Sequence, residues 1–297
     1  MTIAGAIDRT LVRFRRRFGE LIYPKPEDLG LASFGHLIAD RHFRWNKGGQ
    51  PHWSYRYSPK VEGNAFVRQL GYRVPEIYGS YESLAEVPVA DLPSNVVIKP
   101  RNGHSASGVF VIRDGTDAFT GALVNSDWRH RVAARTNGAG YMAEELLVNF
   151  DGRPGAPLDY KFYCFGSRVA FVAVVERNEV GGKGDRNRFW YRTPDWKPLP
   201  IRFQWSHRPE WGDPPKPPFL DDLFAMASDL GGRFGIFLRI DLYATTRGPV
   251  FGEFTPFPAM GRSTTPLADL WLSSQWKGLE GCSDALTAED LSLAISR

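Results

Sequence analysis

Ile236-Phe-Leu-Arg-Ile-Asp-Leu-Tyr243 and Pro249-Val-Phe-Gly-Glu-Phe-Thr255 are two apolar runs separated by the short polar segment Ala244-Thr-Thr-Arg-Gly248. Their composition predicts two β-strands, and a connection this short that ends in Gly predicts a β-hairpin. Each run carries one acid, Asp241 or Glu253. Adjacent antiparallel strands can bring both carboxylates to one point, where their charges repel each other unless a cation compensates them.

A divalent cation between the two acids is one interpretation of this hairpin. Mg²⁺ prefers oxygen ligands and is usually held by one or two carboxylates together with substrate phosphates. In the other interpretation the acids are structural and pair with Arg239 or Arg247. The hairpin alone leaves both interpretations open, so the choice depends on the rest of the chain.

The composition is that of an ordinary globular protein. The 297 residues are 42% apolar and 24% charged, which allows a large core in one domain or in two closely associated ones. The longest apolar runs, such as 169–175, fall far short of the roughly 20 residues of a membrane-spanning helix. The first residues lack the pattern of a secretory signal. With only Cys164 and Cys282, the protein is expected in the reducing cytoplasm, without a disulfide framework.

The first 21 residues predict a basic amphipathic helix. Five arginines crowd one part of it, and apolar residues recur at helical spacing on the other face: Arg9, Arg13, Arg15, Arg16 and Arg17, against Ile7, Leu11, Phe14, Phe18 and Leu21. Such a helix could lie on the inner face of an anionic membrane, or it could pack on the protein with its basic face in solvent. No motif for nucleic-acid binding accompanies the basic residues.

The remaining pattern predicts an α+β protein built on antiparallel sheets, because long strands alternate with few helices. Helices are expected over 60–70, 221–234 and 266–276, and strands over 74–78, 96–99, 109–113, 141–148, 160–165, 169–176, 189–192, 236–243 and 250–254. Residues 24–59 show no periodicity, and 195–218 predict a structured surface excursion rich in Pro and Trp. We expect three parts: 1–90, 91–140 and 141–297.

The segment 96–112 has the composition of a phosphate-binding hairpin. Lys99 ends an apolar strand, and the loop that follows is made of small residues that let backbone N–H groups converge on phosphate oxygens: Gly103, Ser105, Ala106, Ser107 and Gly108. The order Gly-Lys-Ser/Thr of a Walker A loop is absent. A flexible hairpin tip explains the small residues equally well, but it does not explain an ammonium group at the end of Val-Val-Ile.

Further charged residues lie within apolar strands. Strand alternation sends Glu144 and Glu145 to opposite faces, so at most one of them points into a given pocket. Asp159 and Lys161 share a face and could pair with each other or contact a nucleotide. Arg177 is a candidate for an anionic substrate group, and the Gly-rich loop 181–185 could close on the site.

Taken in order, these segments resemble the ATP-grasp superfamily, and most closely its TupA-like branch, which is associated with bacterial cell-surface polysaccharide biosynthesis. The resemblance covers about 60–261. Its motifs are Ser58-Pro-Lys60, Val-Ile-Lys99-Pro, Glu144-Glu-Leu-Leu147, Asp159-Tyr-Lys-Phe-Tyr-Cys-Phe165, Asp195-Trp196, Arg239-Ile-Asp-Leu-Tyr243 and Gly252-Glu-Phe-Thr-Pro256.

The resemblance implies a fold in which a nucleotide lies between two antiparallel sheets, and it implies roles for individual residues. Lys60 and Lys99 would contact ATP phosphates. The hinge Glu144, Glu145, Leu146 and Leu147 would contact adenine, while an acid near the hinge would hold the ribose. Asp241 and Glu253 would bind Mg²⁺, and Arg239 would stabilise the transferred phosphoryl group. Where many members have Asn, this chain has Thr255, whose hydroxyl could still ligate the metal.

The implied reaction is ATP-dependent ligation of a carboxylate, such as a sugar acid or an amino acid, to an amine through an acyl phosphate. Positioning and charge neutralisation supply most of the catalysis in such phosphoryl transfer. That expectation agrees with the lack of a Ser-His-Asp or Cys-His pattern. Two alternatives remain open: a kinase that phosphorylates a hydroxyl, and a non-catalytic relative that binds nucleotides.

Overall fold

The computed structural model describes residues 23–49, 51–101, 108–118, 120–125, 127–128, 140–153, 155–177, 187–207 and 209–276. Its helices are α1 (Phe34–Asn46), α2 (Lys60–Gln69), α3 (Leu220–Phe234) and α4 (Pro266–Trp276). Its strands are β1 (Ile77–Tyr81), β2 (Val96–Pro100), β3 (Phe110–Arg113), β4 (Thr116–Asp117), β5 (Tyr141–Glu145), β6 (Asp159–Phe165), β7 (Arg168–Glu176), β8 (Arg188–Arg192), β9 (Phe237–Thr245) and β10 (Gly248–Thr255).

The strands form two antiparallel sheets of five strands each. The order is β1-β5-β2-β3-β4 in sheet I and β10-β9-β6-β7-β8 in sheet II. The predicted α+β class and the β9–β10 hairpin are confirmed. Sheet I takes β1 from the first predicted part of the chain and β5 from the third, since these two strands pair with each other.

One face of sheet II packs on α3. The helix buries residues at positions three, four, seven and eleven after Leu223, namely Met226, Ala227, Leu230 and Phe234, which is the spacing of a single helical stripe. The strands bury Phe162, Ile240 and Leu242 against them. Gly231 allows the close approach, because a Cβ there would lie 2.4 Å from the carbonyl oxygen of Gly166. The opposite face of β6, β9 and β10 is thereby free to carry polar groups.

Sheet I has its own smaller core. Ile98, Ala143 and Ile112 face Trp128 on one side of the sheet. Alternation then turns Lys99 and Glu144 to the other side. Two backbone hydrogen bonds connect the end of this sheet to the β9–β10 hairpin, from the Thr246 N–H to the Val148 carbonyl (3.2 Å) and from the Phe150 N–H to the Ala244 carbonyl (3.0 Å).

Three local predictions were wrong. Residues 24–59, expected to be irregular, contain α1 and the short 3-10 helices Pro26–Leu29 and Trp53–Tyr57. The strand expected over 141–148 ends at Glu145, where the chain leaves sheet I for sheet II, and the strand expected over 74–78 is shifted to β1. The excursion 195–218 contains no helix or strand among its described residues.

The basic helix expected at the N-terminus and the Gly-rich loop 181–185 lie outside the described residues. None of the helices that the structure describes combines the length and the apolar character required to cross a membrane.

Candidate functional site

A β-bulge at Gly252 determines which way the second hairpin acid points. Phe251 pairs with Leu242, but Glu253 pairs with Asp241, so Gly252 is an extra residue in β10. The bulge changes the alternation of faces. Phe251 and Phe254 consequently both enter the α3 core. Glu253 faces the same side of sheet II as Asp241.

Arg239 lies between the two hairpin acids. Its Nε is 2.7 Å from Asp241 Oδ1, and its Nη2 is 2.8 Å from Asp241 Oδ2 and 3.6 Å from Glu253 Oε1. Nη2 also donates to the Thr255 hydroxyl at 2.9 Å. Burial alone would lower the pKa of this guanidinium, but the surrounding acids outweigh burial and raise it. The residue therefore keeps its positive charge.

Two lysines complete the cluster around the acids. Lys161 of β6 pairs with Asp241, as the β6–β9 register requires, and Lys60 at the first position of α2 donates to Glu253 Oε2 at 3.2 Å. Burial would raise the pKa of Glu253, yet the charges of Lys60, Lys161 and Arg239 lower it to about 2. Both hairpin acids are thus anions compensated by protein cations.

Asp159 extends the row of ion pairs toward the end of β7. Arg177 Nε lies 2.7 Å from its Oδ2, and Lys161 Nζ lies 3.5 Å from the same oxygen. Burial would raise the pKa of Asp159, but these two cations lower it. The pair expected from strand alternation, Asp159 with Lys161, is present, and Arg177 joins it.

Sheet I contributes a second ion pair, Lys99 with Glu144. Glu144 is buried, and no described group bonds to its second oxygen, Oε2. Its charge is felt on sheet II: the charge of Asp159 and burial raise the pKa of Tyr243 most, and Glu144 contributes to the same shift. Lys99 and Glu144 therefore face the same space as the acids of the hairpin.

The hinge residues differ in their surroundings. As expected, Glu144 and Glu145 have different partners, because Glu145 pairs with Arg73 (2.8 Å) and with Arg247. Leu147 is buried and Leu146 half-buried. Within the described chain, the peptide groups of these two leucines make no backbone hydrogen bond, so they can bind a planar ligand with donors and acceptors along its edge.

The predicted phosphate loop is described only at its ends. Gly108 has a positive φ of 71°, and a Cβ there would lie 2.9 Å from the Tyr141 hydroxyl, so both conformation and space require Gly. Gly103, Ser105 and Ser107 lie outside the described residues.

The acids have the chemistry that a magnesium site needs. No group of three or more His, Cys, Asp or Glu side chains in the described parts of the chain could hold a metal ion on its own. Two carboxylates that share one guanidinium match the usual Mg²⁺ site, in which substrate phosphates supply further oxygens. Thr255 is placed to assist, because its hydroxyl donates to Glu253 Oε1 at 3.5 Å.

Sequence reasoning gave no role to three aromatic residues near the cluster. Tyr163 follows Lys161 by two residues on the same face, next to Arg239, and strand alternation could have identified it. Tyr243 lies in the same row as Asp159. His207 comes from the excursion, and burial together with Arg202, Arg239 and Lys161 lowers its pKa to about 4. No sequence pattern marks His207.

Solved structures with a similar chain course are ligases by name, at low identity. The D-Ala:D-Ser ligase VanG of Enterococcus faecalis shares 16% identity over 77% of this chain and 62% of its own, with a TM-score of 0.45. The D-alanine–D-alanine ligase of Bacillus anthracis shares 13% over 85% and 74%, with 0.43. The ATP-grasp ligase PsnB, in complex with a minimal precursor, shares 15% over 88% and 68%, with 0.41.

No curated protein matches the chain. A family model does: the model described as TupA-like ATPgrasp matches residues 44–277, a span that includes both sheets and all the ion pairs described above. With its two antiparallel sheets and its paired strand acids, the chain belongs to the TupA-like ATP-grasp family.

Proposed function

We propose that this protein is an ATP-dependent ligase that joins a carboxylate to an amine through an acyl phosphate. The observation that carries the proposal is the convergence of Lys60, Lys161 and Arg239 on Asp241 and Glu253. Five cations and four acids face one space, so the protein alone leaves room for further negative charge: Lys60, Lys99, Lys161, Arg177 and Arg239, with Glu144, Asp159, Asp241 and Glu253.

ATP is the proposed source of that negative charge, in agreement with the family. In the proposal, the nucleotide lies between the sheets, with its adenine at Leu146 and Leu147 and its phosphates toward Lys60 and Lys99. The part 91–140 covers it, and 141–297 carries the hinge and the acids. Asp241 and Glu253, assisted by Thr255, would hold Mg²⁺, which supplies charge neutralisation at the β- and γ-phosphates when bound.

The chain's own residues then bind and orient the reactants. Arg239 and Lys99 stabilise the charge that builds up on the transferred phosphoryl group, and Arg177 contributes a positive charge on the substrate side. A carboxylate oxygen of the first substrate attacks the γ-phosphorus, and ADP leaves with the bridging oxygen. The amine nitrogen of the second substrate then attacks the acyl carbon, phosphate leaves, and the amine proton passes to phosphate or water.

Covalent catalysis by the protein is not part of the proposal. The described cysteine, Cys164, is buried on the α3 side of β6, and burial raises the pKa of its thiol. A thiol in that state is a poor nucleophile. The proposed reaction needs only positioning and electrostatic stabilisation, which the ion pairs can provide.

We propose a sugar acid or an amino acid as the carboxylate substrate, in the biosynthesis of a cell-surface polysaccharide or a related metabolite. The family description supports this setting without naming a substrate. The proposed location is the cytoplasm, with the basic N-terminal helix as a contact to the inner face of the membrane.

A screen for ADP release tests the proposal. Amino acids and uronic acids are offered with Mg·ATP and a panel of amines, and products are identified by mass spectrometry. We expect ADP, free phosphate and a new amide in equal amounts. A substrate that retains the phosphate would show the kinase instead. An absence of any thermal shift with Mg·ATP would favour a non-catalytic relative.

A further inference from the structure

His207 is held firmly at the edge of the polar face of sheet II. Its ring stacks on Phe189 of β8, with centroids 3.6 Å apart and planes at 12°. Its Nδ1 lies 3.2 Å from the Tyr191 hydroxyl, and its backbone N–H bonds to the Gln204 carbonyl at 3.1 Å. A side chain fixed by stacking, a hydrogen bond and a local turn can present one atom in a defined direction.

The strand register connects this histidine to the ion-pair cluster. Glu253, Asp241 and Lys161 form one row across β10, β9 and β6, and the same row continues through Ala173 to Tyr191 on β8. Neighbouring strands are about 4.8 Å apart, so Tyr191 lies about 10 Å from Lys161 on the same face. His207, above Tyr191, therefore lies on the face of sheet II that carries the site.

Hydrogen bonding determines the tautomer of the ring. The hydroxyl of Tyr191 is buried, and within the described chain its hydrogen-bond partner is His207 Nδ1. A buried hydroxyl needs an acceptor for its proton, so Tyr191 donates to Nδ1. A neutral imidazole then carries its proton on Nε2. His207 is half-buried, and no described group bonds to this nitrogen.

The surrounding charges keep the ring neutral and favour an anionic partner. Arg202, Arg239 and Lys161 all act on His207, and with burial they oppose a positive charge on it. The open Nε2–H is thus a neutral donor in a positive field. A carboxylate oxygen is the acceptor that such surroundings favour.

We propose that His207 is a catalytic residue of the ligase that donates Nε2–H to an oxygen of the substrate carboxylate, beside Arg239. This inference rests on the proposed function and adds a residue to it. The donor orients the carboxylate for attack on ATP, and it stabilises the oxygen anion that forms when the amine attacks the acyl carbon. Tyr191 is a positioning residue, since it acts through Nδ1.

Nuclear magnetic resonance of ¹⁵N-histidine-labelled full-length protein tests the geometry without any assumption about the reaction. The His207 signals are assigned by comparison with His207→Phe. We expect a neutral ring with its proton on Nε2 between pH 6 and 8, and we expect acetate, as the smallest carboxylate, to move the Nε2 signal. The exposed His36 on α1 serves as the control. A proton on Nδ1, or no response to acetate beyond that of His36, would overturn the proposal.

Kinetics test the role in the reaction, with any carboxylate that stimulates ADP release by the wild-type protein. His207→Phe keeps the stacked ring and should lower kcat/KM for the carboxylate about 100-fold, the usual effect of removing one such donor. His207→Gln should restore part of the loss, and His36→Phe should have none. The thermal shift with Mg·ATP should stay at the wild-type value in all three variants, which shows that they fold.

Equal losses for ATP and carboxylate in His207→Phe, or no loss, would refute the role of His207. The failure of every carboxylate to stimulate wild-type ADP release would instead refute the proposed ligase, and the resonance experiment would still decide whether His207 binds carboxylates.

Discussion

Asp241 is the most heavily paired residue of the site. Both of its oxygens accept from Arg239, one also bonds Lys161, and its side chain is 3% exposed. Replacement by Asn keeps the shape and removes the charge that compensates the two cations. Breaking a buried pair in this way costs about 3 kcal/mol. We expect Asp241→Asn to lose that much stability in urea unfolding and to lose the thermal shift with Mg·ATP.

Asp195→Asn is the matched control for that variant. Asp195 pairs with Lys197 at the surface, where its side chain is 56% exposed, and exposed pairs contribute little. Wild-type stability and nucleotide binding are expected. If Asp241→Asn still bound Mg·ATP with full affinity, Asp241 would have no part in the metal site.

Glu253 gives the site a defined response to acid. Its pKa is about 2, below the usual 4.5, so its ion pairs stabilise the folded protein fully above pH 4.5 and lose that effect as the pH falls toward 2. Glu253→Gln has no such group. We expect the difference in unfolding free energy between wild type and this variant to be largest near neutral pH and to shrink between pH 4.5 and 2. A difference independent of pH would contradict the ion pairs.

At the scale of elements, the bulge in β10 makes the site possible. A Cβ on Gly252 would lie 2.9 Å from the Asp241 carbonyl oxygen and 2.9 Å from Tyr243 Cε2, so Gly252→Ala must displace β9 from β10. We expect a loss of about 1 to 3 kcal/mol in stability and weaker Mg·ATP binding, measured by urea unfolding and calorimetry. Gly212→Ala, where the new Cβ would have no neighbour within 4 Å, should match wild type.

The elements that the sequence predicts well are those with a strong local pattern. The helix expected over 266–276 is α4 without change, and the hairpin strands differ by one to three residues at their ends. Helix α1 was missed because distant residues hold its first turn. The Ser33 hydroxyl and the Gly35 N–H both donate to Asp269 of α4, at 2.9 and 2.7 Å. A cap supplied from more than 200 residues away leaves no signal near the helix.

The site was predictable to the extent that it follows alternation and motif order. Those rules placed Asp159 with Lys161, and Asp241 close to Glu253. They gave no reason for Glu253 to face Asp241, because strict alternation puts Phe251 and Glu253 on one face, and only the bulge separates them. His207 depends on a long irregular excursion, whose path is set by packing on Phe189.

At the scale of the whole molecule, the two sheets are joined by a charged clamp beside the hinge. Glu145 at the end of sheet I binds Arg73 (2.8 Å) and Arg247, while Arg73 also reaches the Thr245 hydroxyl at the end of β9 (3.4 Å). The backbone bonds of Phe150 and Thr246 cross at the same place. The clamp therefore fixes how the sheets face each other, although none of its three charged residues faces the cluster of acids.

Removal of Glu145 should loosen this connection more than it unfolds either sheet. We expect Glu145→Ala to speed hydrogen exchange at the amides of Phe150 and Thr246, and to leave Ile98 and Phe162, inside the sheets, nearly unchanged. Mg·ATP affinity should fall, because the cations of the two sheets are no longer held at a fixed separation. Arg73→Ala should act through the same contact, with a coupling of about 1 kcal/mol in the double-mutant cycle. Faster exchange spread evenly over both sheets, or additive effects, would show that the clamp does not join the sheets.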